Sequence, residues 1–353
     1  MATEARTETA PLGRTWQRPG LVPMAGGALV IGILLWLAYN AYLNTSSFFQ
    51  VLLIGVTLGA IYGLIALGYT LVYGILELIN FAHGDVFMLG GMISATFVVQ
   101  VFSLHDHPSI GSLIPALLVT LAIAMIGCGL INATVEFIAY RPLRGAPRLA
   151  PLITAIGASF VLQNIGLRWK GDGYTSLPSI LPQGNVFSIG GVTYTWRQFI
   201  IILIVVPVLL GLVYLVQQTR QGKAMRAVSQ DKDAAAMMGI NVNRTISFTF
   251  VIAGTLAGAA GLVYAVFVTE LRFDQGFQQG LIAFTAAVLG GIGNLPGAVL
   301  GAMLIGLIQA FNEGLTWHAP GSAWSESIVF SILILILVFR PEGLLGERTP
   351  EGG

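Results

Sequence analysis

Residues 48–78 read FFQVLLIGVTLGAIYGLIALGYTLVYGILEL. This apolar stretch is longer than the about 20 residues that cross a hydrocarbon core ~30 Å thick. Glycine recurs along it, and small residues let membrane helices approach closely where lipid offers no hydrophobic driving force for association. The stretch therefore predicts a long, bent membrane helix with close neighbours. Its glycines are Gly55, Gly59, Gly63, Gly68 and Gly74.

The composition of the whole chain agrees with a membrane environment. Hydrophobic residues make up 55% of the 353 residues and charged residues only 9%, against roughly 25% charged in an average soluble domain. The chain supplies enough apolar sequence for about eight to ten spans and leaves no room for a sizeable soluble domain. The net charge of +1 provides no field that would attract nucleic acid, and the single Cys128 has no intrachain partner.

Apolar runs of spanning length predict the architecture. The first run, at 21–43, follows a polar tail at 1–20 and lacks a convincing cleavage site, so it is interpreted as a retained span. The run at 281–311 is interrupted by glycines, Asn294 and Pro296, which indicates two short helices joined by a turn at membrane depth, either re-entrant or fully crossing. The remaining runs are at 48–78, 85–103, 110–138, 149–167, 198–217, 245–268 and 325–339.

Basic residues in the short loops predict the orientation, because they favour the cytoplasm. Most of the 17 Lys and Arg residues fall in the tail 1–20, the loop 139–148, the loop 219–244 and the segment after Arg340. The prediction is an all-α polytopic protein with about eight full spans plus the broken hairpin, N-in and C-in. The membrane-spanning region is then 21–343, and 344–353 is a cytoplasmic tail.

The segment from Arg168 to Arg197 is the largest one predicted outside. It is rich in Gly, Pro, Ser and Thr, and alternation from Phe187 to Tyr194 predicts a small β-hairpin. This segment is the natural surface for an external partner.

Polar groups at membrane depth are costly and therefore mark functional candidates. The densest patch contains Glu77, Asn80, His83, Gly84 and Asp85, between the second and third runs. Two interpretations are open for it, a hydrated and capped turn or part of a translocation path.

Three further polar features carry open alternatives. The patch from Glu270 to Gln278 forms either a neutralised interface, with Arg272 beside its acids, or an outer mouth. The turn from Gly290 to Gly297 exposes backbone groups that a solute could use, although packing explains it equally well. The sequence His105-Asp106-His107 is more simply a solvated loop than a metal site, so no metal is predicted.

The loop from Thr219 to Arg244 differs from the rest of the chain. Alanines at helical spacing are interleaved with charged residues and end at Gly239, which predicts a short amphipathic helix over 224–237 with a glycine stop. The helix carries no bulk to anchor it in lipid, which favours a partner protein over a lipid-facing connector. No P-loop, HExxH motif or serine-histidine pair accompanies it, so no enzymatic activity is predicted.

Three separated motifs resemble a known family. They are Gly55–Gly74 continuing through Ile79-Asn-Phe-Ala-His-Gly-Asp85, Gly222-Lys-Ala-Met-Arg-Ala227 with Met238-Gly-Ile-Asn241, and Phe284-Thr-Ala-Ala-Val-Leu-Gly-Gly-Ile-Gly-Asn-Leu-Pro-Gly297. In order and spacing they resemble the membrane permeases of branched-chain amino acid ABC importers, specifically the LivH type, from about Phe48 to Gly343.

The resemblance implies a multi-pass protein of the bacterial inner membrane. It also implies two cytoplasmic ABC ATPases that hold ATP and Mg²⁺, a periplasmic solute-binding protein, and a second permease, LivM-like or a copy of this chain. Membrane lipid surrounds the assembly, and this chain itself binds no cofactor. The loop 219–244 would be the ATPase-coupling loop, with Gly222, Ala224, Arg226, Ala227, Asp231, Ala235 and Gly239 as its candidate residues.

The candidate translocation-path residues are Asn80, His83, Gly84, Asp85, Gly290, Gly291 and Asn294. Permeases for urea and short amides share much of the same pattern, so the solute stays open between them and branched-chain amino acids. A stand-alone secondary transporter is a third alternative, but it leaves the cytoplasmic helix without a purpose.

Overall fold

The computed structural model describes residues 21–104, 108–147, 149–182 and 184–346. The predicted tail 1–20, the His105–His107 sequence and residues 347–353 of the other tail lie outside these ranges. The chain divides into two units, one up to Thr45 and one from Ser46 onward. Helix α1 (Leu21–Leu43) belongs to the first unit and covers the predicted first span.

The described residues are mainly helical, which confirms the all-α polytopic prediction. After α1 the helices are α2 (Thr45–Leu76), α3 (Ala82–Thr96), α4 (Ile110–Val135), α5 (Leu149–Lys170), α6 (Trp196–Gln218), α7 (Arg220–Gln230), α8 (Lys232–Met237), α9 (Val242–Val268), α10 (Gln275–Gly290), α11 (Leu295–Gly314) and α12 (Ser322–Phe339). A π-helical turn, Phe97–Val101, continues α3, and a second one, Glu136–Tyr140, continues α4.

Eight helices of the described residues are long and apolar enough to cross a membrane. They are α2, α3 with its π-helical turn, α4 with its continuation, α5, α6, α9, α11 and α12. The number agrees with the predicted eight, and these helices include α11 of the predicted hairpin.

Glycines let the central helices pack with their backbones in close approach. On α2, a Cβ at Gly59 would lie 2.8 Å from the Met303 Cα of α11. On α9, a Cβ at Gly258 would overlap the Ala124 carbonyl of α4. Such distances exclude any side chain, so these contacts confirm that the glycine spacing of the sequence reports helix packing.

Helices α10 and α11 form the predicted broken hairpin. The turn between them contains Gly291 at φ +108° and Gly293 at φ +94°, conformations that glycine adopts readily. The segment after α12 packs on this turn, where the Leu344 and Leu345 amides donate to the Leu289 and Gly290 carbonyls at 2.9 and 3.0 Å. Leu344 and Leu345 follow the C-terminal end of α12, so the turn between α10 and α11 lies at about the same membrane depth as that end of the last span.

Two small antiparallel pairs of strands lie near the end of the helices opposite the α10–α11 turn. Strands β2 (Asn185–Ile189) and β3 (Val192–Thr195) form the predicted hairpin. Strands β1 (Thr175–Ser176) and β4 (Glu270–Leu271) pair Thr175 with Leu271. The β1–β4 pair was not predicted, because two-residue strands that are distant in sequence leave no periodic pattern.

The amphipathic helix predicted over 224–237 is instead two helices, α7 and α8, with a break at Asp231. The Asp231 backbone is extended, at φ −154° and ψ 115°, and its carboxylate accepts hydrogen bonds from the Asp233 and Ala234 amides. An aspartate that caps a helix N-terminus competes with a continuous helix. The glycine stop is confirmed, since Gly239 has φ +82° and follows Met238, the residue that caps the end of α8.

Candidate functional site

The polar patch between α2 and α3 is buried in the structure except for Glu77, which is exposed. Asn80, His83 and Asp85 are 1%, 0% and 0% exposed, so a hydrated turn does not describe these three residues. The Asn80 amide donates to Asn132 Oδ1 at 3.3 Å and its oxygen accepts from the Tyr140 hydroxyl at 3.1 Å. These hydrogen bonds tie the α2–α3 connection to α4 and to the π-helical turn that follows it.

His83 and Asp85 lie in the first turn of α3 and retain unused hydrogen-bonding atoms. The His83 ring packs edge-on against Tyr69 of α2, with 4.8 Å between ring centroids. Asp85 accepts a hydrogen bond from the Ser159 hydroxyl of α5. Within the described residues, both ring nitrogens of His83 and the second carboxylate oxygen of Asp85 have no hydrogen-bond partner.

Gly84 lies between them, at the crossing of α3 and α10. A Cβ on Gly84 would overlap the Gly276 carbonyl and lie 2.9 Å from the Gly280 Cα. The approach of these two backbones explains the glycine by packing. A role of Asn80, His83, Gly84 and Asp85 in translocation stays a prediction.

The other candidate path residues lie in the α10–α11 turn, where the segment after α12 contacts them. Gly290 accepts a hydrogen bond from the Leu345 amide, and the Asn294 side chain donates to the Leu345 carbonyl at 2.8 Å. Asn294 also caps α11 by accepting from the Gly297 amide at 2.9 Å. Gly291 is buried against Gly346. Hydrogen bonds within the chain therefore already occupy some of the backbone groups of this turn that a solute could have contacted.

A second polar network, between α2, α10, α11 and α12, was not predicted from the sequence. The buried Tyr62 of α2 donates to Gln309 of α11 at 2.8 Å and approaches Gln279 of α10 at 3.2 Å. Gln309 then donates to Glu313 at 3.1 Å, and Ser325 of α12 donates to the same carboxylate at 2.7 Å. The signal that could have found it was a glutamine close to each end of the predicted hairpin.

An ion pair in the segment after α4 is hydrogen-bonded to α9, at the end of the helices where the loop 219–244 lies. Glu136, in the π-helical turn after α4, pairs with Arg144 and accepts from the Ser247 hydroxyl at 2.7 Å. Arg144 also donates to the Asn243 side chain. Burial lowers the pKa of Arg144, and the neighbouring Glu136 carboxylate opposes that shift.

Four of the seven predicted coupling residues line an open cleft between α7 and α8. The cleft has a volume of about 550 Å³, and its lining includes Ala224, Ala227, Asp231 and Ala235. Gly222 and Arg226 shape the corner between α6 and α7 instead. A Cβ on Gly222 would overlap the Leu215 and Val216 carbonyls, and Arg226 donates to the Val216 carbonyl at 2.6 Å.

The tip of this loop exposes two adjacent apolar side chains. Met237 and Met238 are 82% and 84% exposed, just before the predicted coupling residue Gly239. Methionine is flexible and polarizable and is common on surfaces that bind partners. The cleft and the two methionines together form a surface suited to a protein partner.

The described residues contain no group of three or more His, Cys, Asp or Glu side chains that could hold a metal ion.

Comparisons with known proteins place these features in a family. A family described as "Branched-chain amino acid transport system / permease component" matches residues 51–338. The high-affinity branched-chain amino acid transport system permease protein BraD of Pseudomonas aeruginosa is 38% identical over 309 residues, covering 86% of this chain and 97% of BraD. No solved structure gives a significant match.

Two further relatives show the range of the similarity. The permease protein LivH of Salmonella typhimurium is 36% identical over 314 residues, covering 86% of this chain and 97% of LivH. The fructose import permease protein FrcC of Rhizobium meliloti is 26% identical over 293 residues, covering 79% of this chain and 74% of FrcC.

Proposed function

Because the chain belongs to the branched-chain amino acid transport permease family, we propose that it is the permease subunit of an ATP-driven importer of branched-chain amino acids. The observation that carries this proposal is the similarity to BraD over nearly the whole of that relative. The relatives at 35–38% identity are all named for branched-chain amino acid transport. This naming favours such solutes over urea or short amides.

The family membership and the eight apolar helices make this chain a multi-pass protein of the inner membrane. We propose that ATP is hydrolysed by two separate ABC ATPases and that a periplasmic binding protein delivers the solute. A second permease, LivM-like or a copy of this chain, completes the pathway.

The cleft between α7 and α8 is the proposed docking surface for an ATPase. Its alanine lining leaves space for a partner side chain, Met238 is part of the lining, and the exposed Met237 is next to it in the chain. An ATPase that moves this loop would also move α9, because α8 and α9 are separated by only a few residues. Glu136, paired with Arg144 and bonded to Ser247, would carry the same displacement to α4.

The proposed solute path runs along α2, α10 and α11. Tyr62, Gln279 and Gln309 supply polar atoms on these helices, and polar groups inside a membrane bundle commonly mark a substrate path. Alternating access requires two states of the permease that the ATPases bind with different affinity. A ligand that binds both states equally well cannot shift the equilibrium between them.

The first experiment purifies the tagged chain in mild detergent from its native membrane and identifies the proteins that accompany it. We expect two P-loop ATPases and a related permease. The complex, reconstituted in vesicles with its binding protein, should take up L-leucine only with ATP. Recovery of the chain alone, with ATP-independent solute movement, would establish a stand-alone carrier instead.

A matched pair of variants tests the docking surface. Ala227 lines the cleft, whereas Ala236 on α8 is exposed and does not. We expect Ala227→Trp to fill the cleft and release the ATPases during purification, while Ala236→Trp retains them. Equal recovery of ATPases with both variants would contradict docking in the cleft.

A further inference from the structure

A cavity of about 410 Å³ lies at the end of the helices opposite the loop 219–244. It lies between the N-terminal turns of α2 and α6, the C-terminal end of α9 and the segment before β2. One part of its wall is apolar, with Ile54, Leu181 and Phe267, and the other part carries Gln50, Arg197 and Gln198. By the predicted orientation this end faces the side from which an importer receives its solute.

The amide orientation of Gln50 is set by the β2–β3 hairpin. Its Oε1 accepts hydrogen bonds from the Thr193 backbone amide at 2.8 Å and from the Thr193 hydroxyl at 3.1 Å. Because the Thr193 backbone N–H can donate only to an acceptor, the Gln50 atom that faces it is the amide oxygen. The NH2 group of the Gln50 side chain therefore points away from Thr193. Across the described part of the chain, that NH2 group donates to no protein acceptor.

Gln198 is oriented in the same way by a capping box at the start of α6. Its side-chain Oε1 accepts a hydrogen bond from the Thr195 backbone amide at 3.1 Å. In return, the Thr195 hydroxyl accepts one from the Gln198 backbone amide. The Gln198 NH2 group likewise has no protein acceptor among residues 46–104, 108–147, 149–182 and 184–346. In both Gln50 and Gln198, the side-chain oxygen therefore already accepts a hydrogen bond, and the NH2 group is left to donate to a ligand.

Arg197 adds a positive charge to the same wall. One of its Nη atoms donates to the Phe267 carbonyl at 3.2 Å, which fixes the side chain beside the C-terminal end of α9. The side chain is half-buried, and it forms no ion pair with any described residue. A half-buried guanidinium without an acidic partner favours an anionic ligand, which it can bind through paired N–H groups.

We propose that this cavity is an outer subsite that binds the carboxylate of an apolar amino acid through Arg197, Gln50 and Gln198. The wall offers hydrogen-bond donors and a positive charge, which match an ionised carboxylate because that group only accepts hydrogen bonds. Ile54, Leu181 and Phe267 provide the surface that an aliphatic side chain requires. The inference rests on the proposed function and names the chemistry by which this chain recognises that solute.

Direct binding to the purified, full-length chain in lipid nanodiscs tests the proposal. L-leucine and L-leucinamide have the same side chain and amino group, but the amide lacks the carboxylate. Titration of each by saturation-transfer NMR should give an affinity for leucine at least tenfold higher than for leucinamide. Similar affinities for the two compounds would overturn the proposal.

Variants assign the affinity to the cavity. Arg197→Gln should weaken leucine binding at least tenfold and bring it to the level of leucinamide. Arg168→Gln, which changes an exposed arginine at the same end of the helices, should bind leucine as the wild type does. Ile54→Trp fills the apolar part without changing the polar wall, and it should also weaken leucine binding. Unchanged leucine binding in Ile54→Trp, or in a folded Arg197→Gln protein, would overturn the proposal.

Two further outcomes distinguish a solute subsite from a contact with the solute-binding protein. If Arg197→Gln retains leucine affinity but no longer binds the solute-binding protein, Arg197 recognises an acidic side chain of that partner and the subsite is wrong. ATP-driven leucine uptake by the wild-type complex tests the proposed function independently. Uptake that is equal in the wild type and in Arg197→Gln would leave the function standing and reject the subsite.

Discussion

The carboxylate of Glu136 accepts a hydrogen bond from the Ser247 hydroxyl at 2.7 Å, and this bond joins the π-helical turn after α4 to α9. Arg144 pairs with the same carboxylate. The side chain of Glu136 is 2% exposed, and that of Arg144 is 18% exposed. If Glu136 is removed, water can therefore reach the Arg144 guanidinium. If Arg144 is removed, water reaches the Glu136 carboxylate less readily.

Removing Arg144 should destabilise the protein more than removing Glu136. In Arg144→Ala the buried Glu136 carboxylate loses its counter-charge, and we expect a cost of about 3 kcal/mol, the lower bound for breaking a buried pair. In Glu136→Ala the remaining guanidinium can reach water, so the cost should be smaller. Unfolding of both variants and of Arg144→Ala/Glu136→Gln, in detergent with rising SDS, measures the difference. Equal losses for the two single variants would contradict the expected order.

Gly258 and Gly211 should respond in opposite directions to alanine. A Cβ on Gly258 overlaps the Ala124 backbone, whereas a Cβ on Gly211 of α6 meets no atom within 4 Å. Overpacking in Gly258→Ala should cost about 1–3 kcal/mol. Gly211→Ala should stabilise its helix by up to about 1 kcal/mol, because glycine is a poor helix former. An unchanged or raised melting temperature in Gly258→Ala would refute the packing role of Gly258.

The Tyr62 hydroxyl should matter more for transport than for folding. Tyr62→Phe retains the ring and removes the donor to Gln309, and a hydrogen bond of this kind contributes about 1 kcal/mol to stability. If α2, α10 and α11 line the solute path, leucine uptake should fall several-fold while the ATPases remain bound. Tyr214→Phe is the control, since Tyr214 is 66% exposed on α6. Uptake unchanged in both variants would remove this network from the path.

Gly343 should be the less replaceable of two glycines with similar backbones. Gly343 has φ +74° and Gly321 has φ +90°, so alanine at either position meets a strain of about 1 kcal/mol or more. At Gly343 a Cβ would also lie 2.5 Å from the Val288 carbonyl oxygen, whereas Gly321 has open space. Gly343→Ala should therefore lower the melting temperature further than Gly321→Ala. The reverse order would contradict packing of the C-terminal segment on the α10–α11 turn.

The spans, the broken hairpin and the β2–β3 hairpin were predictable because each depends on a pattern within one stretch of sequence. The break between α7 and α8 was not predicted, because alanine spacing continues through Asp231. That residue's capping bonds to Asp233 and Ala234 decided the outcome. Likewise, the sequence marked Asn80, His83 and Asp85 as unusual at membrane depth, but their burial and their partners on α2, α4 and α5 became visible only in the fold.

Hydropathy and helical periodicity depend on neighbouring residues, so the amino-acid pattern alone identifies a helical membrane protein with a separate polar loop. Which polar groups meet depends on the packing of the helices. Gln50 contacts Thr193, Tyr62 contacts Gln309 and Arg197 contacts Phe267. These pairs are far apart along the chain, so no local pattern marks them. Tyr62 reaches Gln309 because α2 and α11 pack closely at Gly59.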